Sequence, residues 1–341
     1  MNTWIMGLML TILSGGAWAQ PGTLTNATVT DRTPISDPAL AMSEVSKGWV
    51  AFRMPVIEGT RSPCCWQGNW NSNRAVGCSL LTDHHSYGTR RDSPLAQNVI
   101  AYARMSGGSL KAVRIVGEDC PVDGGGAEVT WIGATDDTAS LEWLDSVARS
   151  SRHDASDAAL YATALHASPV ATKNLHALVT DGDSGLSEEA VFWLGEARGI
   201  GGYRALDELL DELPHGDTRQ HINFALAQND SPEALALLVE ISRNDADPEQ
   251  RGNALFWLAE EYPEQAENLL LDTLAGESDE EVLEQAIFAI SQLPQRKATR
   301  ILLDLAQDPE QPREIRRQAM FWLAHSDDDE ALAALEELLT R

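Results

Sequence analysis

Beyond residue 154 apolar positions recur at helical spacing, and one short block returns again and again: AlaValPheTrpLeu at 190–194, IleAsnPheAlaLeu at 222–226, AlaLeuPheTrpLeu at 254–258, AlaIlePheAlaIle at 286–290 and AlaMetPheTrpLeu at 319–323. Aligned on Phe192, Phe224, Phe256, Phe288 and Phe321, the blocks step by 32, 32, 32 and 33 residues, and a weaker copy, AlaLeuTyrAlaThr at 159–163, precedes them by 31. A period in this range marks a stack of like units. No unit this short buries its own apolar face, so neighbours must share one continuous core and expose long surfaces.

Within the unit 278–305, the stretch from Ser278 to Leu293 reads as a first helix capped by Ser278 or Asp279, with acidic residues in its first turn. Pro294 ends it. ArgLysAlaThrArgIleLeuLeuAspLeuAla at 296–306 reads as a second helix, and AspProGluGln at 308–311 turns the chain into the next unit. AspAlaAspProGluGln at 245–250 and AsnAspSerProGlu at 229–233 repeat that punctuation. The expected fold class is therefore mainly α: an α-solenoid of about six helical hairpins over residues 151–341.

The pattern upstream has a period of two. Segments 48–57, 98–105, 111–116 and 127–132 alternate and are rich in β-branched and aromatic residues, with SerGlyGlySer at 106–109 as a hairpin turn. These predict a small, disulfide-linked antiparallel β domain within 44–150, closed by a linking helix at 138–150. Residues 20–43, poor in bulky apolar side chains, read as a flexible lead-in. The apolar stretch Trp4–Leu13 with its Ala17-Trp18-Ala19 exit reads as a signal peptide over 1–19, although it lacks the usual basic start. Export to the periplasm or outside the cell is the expectation, and no later segment is apolar and long enough to span a bilayer.

All four cysteines, Cys64, Cys65, Cys78 and Cys120, fall in the first third of the chain. In an oxidising compartment such a set forms two disulfides. Adjacent cysteines bond each other only with strain, so Cys64 and Cys65 each pair with one of Cys78 and Cys120, in an order the spacing leaves open.

Formal charge is −27, and it is unevenly placed. Residues 20–150 hold 11 Lys/Arg against 14 Asp/Glu, whereas 151–341 hold 14 against 38. So acidic a repeat surface repels nucleic-acid phosphates and suits a partner with a basic segment.

Val282, Ala286, Ala289 and Ile290, with Ile315, Arg316, Ala319 and Leu323 one unit on, resemble the short HEAT-type repeat of the PBS-lyase-like class. That resemblance implies that Arg219, Arg251 and Arg316 tie one unit's turn to the next; Ser187 and Leu283 depart from it and break such a ladder. The class includes scaffolds, adaptors, bilin lyases and an iron hydroxylase, so it implies fold more than function. The hydroxylase-type metal set uses His-Glu pairs, and none of the eight histidines here precedes Glu.

Other motifs read as structural. Asp181-Gly182-Asp183-Ser184-Gly185 lacks the later ligands of a calcium loop and reads as a turn with a helix cap. The cysteines with His84 and His85 match no common zinc spacing, and Asp83-His84-His85-Ser86 lacks the context of a nucleophile. No catalytic, cofactor or metal residues are assigned.

Two surfaces remain as partner-binding candidates. Phe192, Phe224, Phe256, Phe288 and Phe321 recur on one face; at 100° per residue Phe288 lies about 145° from the centre of the arc of Val282, Ala286, Ala289 and Ile290. Burial between adjacent units is the expectation, and an exposed aromatic ridge is the other reading; Trp193, Trp257 and Trp322 are expected in the core. The second surface is the acidic one of the second helices, led by Asp207, Glu208, Asp211 and Glu212. The whole reads as a non-catalytic interaction scaffold in the cell envelope, the alternative being a lyase-like enzyme or maturation factor with a pocket where the two domains join.

Overall fold

The computed structural model of the chain describes residues 22–33, 35–66, 77–81, 86–89, 93–150, 154–213, 217–326, 331–333 and 336. The expected signal at 1–19, His84, His85, His153 and His215 lie outside them. Two units emerge: residues up to Met54 with Gly59–Asp136, and Pro55–Glu58 with the residues from Asp137 on.

The first unit contains strands β1 (Thr23–Asp31), β2 (Lys47–Pro55), β3 (Cys64–Trp66), β4 (Cys78–Ser79), β5 (Ser86–Gly88), β6 (Asn98–Ser106), β7 (Ser109–Gly117) and β8 (Pro121–Ala134), with helix α1 (Pro38–Ser43) after β1. The main sheet runs β1-β8-β2-β6-β7, with β4 also on β8, while β3 and β5 form a separate pair. Gly107 and Gly108, both at positive φ, close the β6–β7 hairpin as its sequence foretells. Yet β1, β2 and β4 all run parallel to β8, so the expected antiparallel sheet is in fact mixed. Local turn chemistry reveals hairpins only; parallel pairs depend on long crossovers, here including α1, that leave no short signal.

A second correction concerns the lead-in. Residues 23–31 are β1 and 38–43 are α1, the latter capped by Asp37. β1 is an edge strand whose ThrLeuThrAsnAlaThrValThrAsp side chains are mostly exposed, so its β-branching survives while the apolar alternation that betrays a buried strand does not. Cys64 bonds Cys120 and Cys65 bonds Cys78, among Trp49, Ile100, Tyr102, Val122 and Trp131 in one core.

The second unit is helical: α2 (Asp137–Ser150), α3 (Asp154–Leu165), α4 (Val170–Asp181), α5 (Ser184–Ala197), α6 (Gly199–Glu212), α7 (Asp217–Gln228), α8 (Pro232–Asn244), α9 (Pro248–Glu261), α10 (Pro263–Gly276), α11 (Glu280–Gln292), α12 (Gln295–Gln307) and α13 (Arg313–Ala324). The linking helix α2 thus belongs with the repeats, where it packs on α3 and α4. First helices stack in the series α3, α5, α7, α9, α11, α13, and second helices flank them. Asp183, Asp247 and Asp279 cap first helices through their side chains, so the Asp181–Gly185 loop is a cap as expected. Ala190, Leu194, Ala225, Ala254, Leu258, Ala286 and Ile290 are sealed in the shared core. Gly195 permits the tight α5–α7 approach, because a Cβ there would fall 2.3 Å from the Ala225 carbonyl oxygen.

Two series of polar contacts tie successive units. At one end Arg219 Nη2 meets Asp245 Oδ2 at 3.1 Å, Arg251 meets Glu277 at 3.2 Å and also donates to the Asp245 carbonyl, and Ser187 donates to the Val179 carbonyl. Leu283, which has no side-chain donor, interrupts the series as expected. At the other end the residues after α5, α7 and α9 reach back one unit. Arg198 donates to the carbonyls of Ala164, His166 and Ser168, Asn229 to those of Gly195 and Gly199, and Tyr262 to that of Ala227. Carbonyls that a helix C-terminus leaves unpaired are thereby satisfied by the neighbouring unit.

Candidate functional site

The first-helix face of the solenoid carries a continuous aromatic stack. Tyr161 packs on Trp193 at 5.1 Å between ring centroids, Phe192 on Phe224 at 6.1 Å, Phe224 on Trp257 at 4.6 Å, Phe256 on Phe288 at 5.5 Å and Phe288 on Trp322 at 5.0 Å. Phe192, Phe256 and Phe321 each sit edge-on to the Trp that follows them, at 4.9, 4.9 and 5.1 Å. His325 closes the series 4.1 Å from Phe321.

The stack has an alternation that explains its residue types. Where a unit supplies Phe-Trp, the Trp reaches back to the preceding ring and the Phe reaches forward. Where a unit supplies Phe-Ala, in α7 and α11, its single Phe serves both neighbours, and Ala225 and Ala289 sink into the core. Large and small residues thus alternate from unit to unit, the pattern by which stacked layers interdigitate.

These rings are neither core nor ridge alone. Phe192, Phe224, Phe256, Phe288 and the three Trp are half-buried, and Phe321 is 51% exposed. The expectation that the Phe rings bury between units holds for the flanks that touch the next ring and fails for their outer edges. Trp193, Trp257 and Trp322 are corrected from core to stack. Each follows a Phe on the helix and so projects to the side of the Ala and Leu stripe.

Carboxylates border the stack on both sides. One turn before Trp193, Glu189 accepts from its indole N–H at 3.4 Å; burial and then Asp157 push its carboxyl pKa up, partly offset by that hydrogen bond. One turn after Phe192, Glu196 is pushed up by burial, by Asp230 and by Glu261. The same two neighbours, after burial, raise the Tyr262 phenol. Among the described residues no Lys or Arg pairs with Glu196, Asp230 or Glu261, so one end of the first-helix face gathers negative charge.

Asp207, Glu208, Asp211 and Glu212 are exposed on α6. Asp207 is pushed up by partial burial, then by Asp211, Glu240 and Glu208, which places the α6 and α8 acids together. Glu212 stands 3.5 Å from His176. Tyr203 lies beside this group, its phenol pushed up by burial and then by Asp207 and Glu233. The Glu196–Asp230–Glu261 group escapes a reading by motif because its members sit on separate units. Their near-period spacing of 34 and 31 residues is the trace a charge-by-register count would find.

Deep in the second unit, His166 is fully buried. Its Nε2 lies 3.2 Å from Ser140 Oγ and 3.9 Å from Asp137, and its Nδ1 accepts from the Ser168 N–H. Acid, imidazole and hydroxyl converge here, but both acid and hydroxyl face the same nitrogen, an arrangement that anchors α2 and cannot relay a proton to a nucleophile. Burial lowers the imidazole pKa, Asp137 raises it and Arg198 lowers it further.

The family model for HEAT repeats matches residues 235–320, and that for the PBS lyase HEAT-like repeat matches 315–341. A search of curated proteins gives no match. Among solved structures, one similar chain comes from the complex of CpcE and CpcF of phycocyanin lyase from Nostoc sp. PCC7120, at 18% identity over 49% of this chain and 97% of that one, with a TM-score of 0.29. Another is human deoxyhypusine hydroxylase in complex with glycerol, at 16% identity over 59% and 90%, with a TM-score of 0.28. Scores this low leave this chain's chemistry to be argued from its own residues.

Proposed function

Because the chain is a HEAT-repeat protein of the PBS-lyase-like class, we propose that it is a non-catalytic scaffold of the cell envelope that holds another protein on the first-helix face of its solenoid. HEAT repeats generally mediate protein interactions, and one observation favours this face: the half-buried aromatic stack from Tyr161 to Phe321, with open outer edges and carboxylate borders. Aromatic rings fixed by their neighbours present large contact area at little cost in side-chain entropy, as hot spots of interfaces do. The net acidity of residues 151–341 favours a partner with a basic segment and disfavours nucleic acid. Paired cysteines support an oxidising setting, which fits the expected signal peptide. No described helix is long and apolar enough to cross a membrane.

Site-specific photo-crosslinking in intact cells tests the proposal. A crosslinker at exposed Glu260, one turn beyond Phe256, should capture a protein, and one at exposed Glu240 on α8 should not. Capture confined to position 240 would move the interface to the second helices.

A further inference from the structure

Resting on that reading, we infer that the occupant of the stack is an extended, basic, proline-containing segment in the polyproline II conformation. Four features of the face combine to select it. The first is repeat length: stacked helices lie ~8–10 Å apart, and a polyproline II chain, with three residues per turn and a rise of about 3.1 Å, returns the same side every ~9 Å. Successive turns of such a segment therefore keep pace with successive helices, and every second turn meets an equivalent ring pair, Phe192–Phe224 and then Phe256–Phe288. An extended β-strand repeats its side every ~7 Å and falls out of step within two units.

Apolar shape is the second. The stacked pairs Phe192–Phe224 and Phe256–Phe288, with planes 15° and 1° apart, leave between them the Trp edges, a ridged aromatic surface suited to flat pyrrolidine rings.

Hydrogen bonding is the third. Polyproline II carbonyls are unpaired and need donors. Trp193 spends its indole N–H on Glu189, but among the described residues the indole N–H of Trp257 and of Trp322 has no acceptor. Two units apart, these donors match carbonyls two polyproline turns apart. The last feature is charge. Glu196, Asp230 and Glu261 crowd one another beside the rings, as the raised Glu196 carboxyl reports, and a guanidinium or ammonium from the segment would relieve them.

Titrating labelled peptides against the full chain tests this directly. A peptide of Pro-Pro-Arg repeats should bind, with equally charged Gly-Gly-Arg repeats and an Ala-rich helical peptide of equal Arg content each at least about tenfold weaker. Trp257→Phe, which keeps one six-membered ring and loses the N–H with the rest of the indole, and Glu196→Gln should each weaken the Pro-Pro-Arg peptide several-fold, Glu196→Gln without lowering the melting temperature. Equal binding of the glycine or helical peptide overturns the polyproline geometry, as does Pro-Pro-Arg binding untouched by both variants. No peptide binding at all overturns it too. If the crosslinker at Glu260 still captures a protein, the scaffold reading stands and only the occupant is wrong; if it captures nothing, both fall.

Discussion

Phe256 and Phe288 lie face to face with ring centroids 5.5 Å apart and planes 1° from parallel, although one period of the chain separates them. Each ring is held in part by its neighbour and is neither sealed nor fully exposed, so the stack is at once a structural seam and a surface. Phe256→Ala should therefore cost roughly 1.5–2.5 kcal/mol, about half of a fully buried Phe deletion. Urea denaturation measures it; a loss above about 4 kcal/mol would return Phe256 to the core, and one below about 0.5 would make the ring a free ridge.

His166 predicts a pH dependence. Its folded pKa lies below the ordinary value, so the unfolded chain binds the proton more readily, and stability is full above about pH 6.5 and falls as pH drops below it. Thermal melts at about pH 7.5 and 5.5 should show a loss for the native chain. His166→Gln should be less stable throughout yet lose less between those two values. A variant that loses as much as the native chain would assign the effect to other groups.

Glu277 gives the same slope from a different cause, partners that favour its charged form where burial disfavours that of His166. Backbone N–H groups of Asp279 and Ser278 and the Arg251 guanidinium hold its carboxyl below the usual range. Its contribution is present above the unfolded carboxylate value near pH 4.3 and lost as pH falls through the depressed one. Arg251→Ala, which also frees the Asp245 carbonyl, should cost about 1–2 kcal/mol at neutral pH, read by denaturation.

The disulfides give a covalent check. Cys64–Cys120 and Cys65–Cys78 predict no alkylatable thiol before reduction, and Cys64→Ser with Cys120→Ser should destabilise the sheet unit by about 2–4 kcal/mol. Peptide mapping that found Cys64 joined to Cys78 would contradict the arrangement.

How much of this was legible in the sequence depended on whether a feature repeats or is local. The 32-residue spacing of Phe192, Phe224, Phe256 and Phe288 marked the hairpins, because every unit must bury an equivalent stripe. The same spacing could not tell core from stack. That is decided by the residue after each Phe, Trp or Ala, whose partner lies a whole unit away. The Arg198–Asn229–Tyr262 ties went unread because three different residue types perform one task. In the sheet unit the SerGlyGlySer turn announced β6–β7, whereas polar β1 and its parallel seat on β8 had no local sign.

On the proposed reading, partner binding belongs to the aromatic stack and its acidic border. Its most direct test is the affinity of the captured partner for three forms of the chain: native, Phe224→Ala with Phe321→Ala, and the form in which Asp207, Glu208, Asp211 and Glu212 are all neutralised. The double Phe variant should lose about tenfold or more, and the α6 variant should change by less than about threefold. Undiminished binding by the Phe variant, with loss confined to the α6 variant, would contradict it.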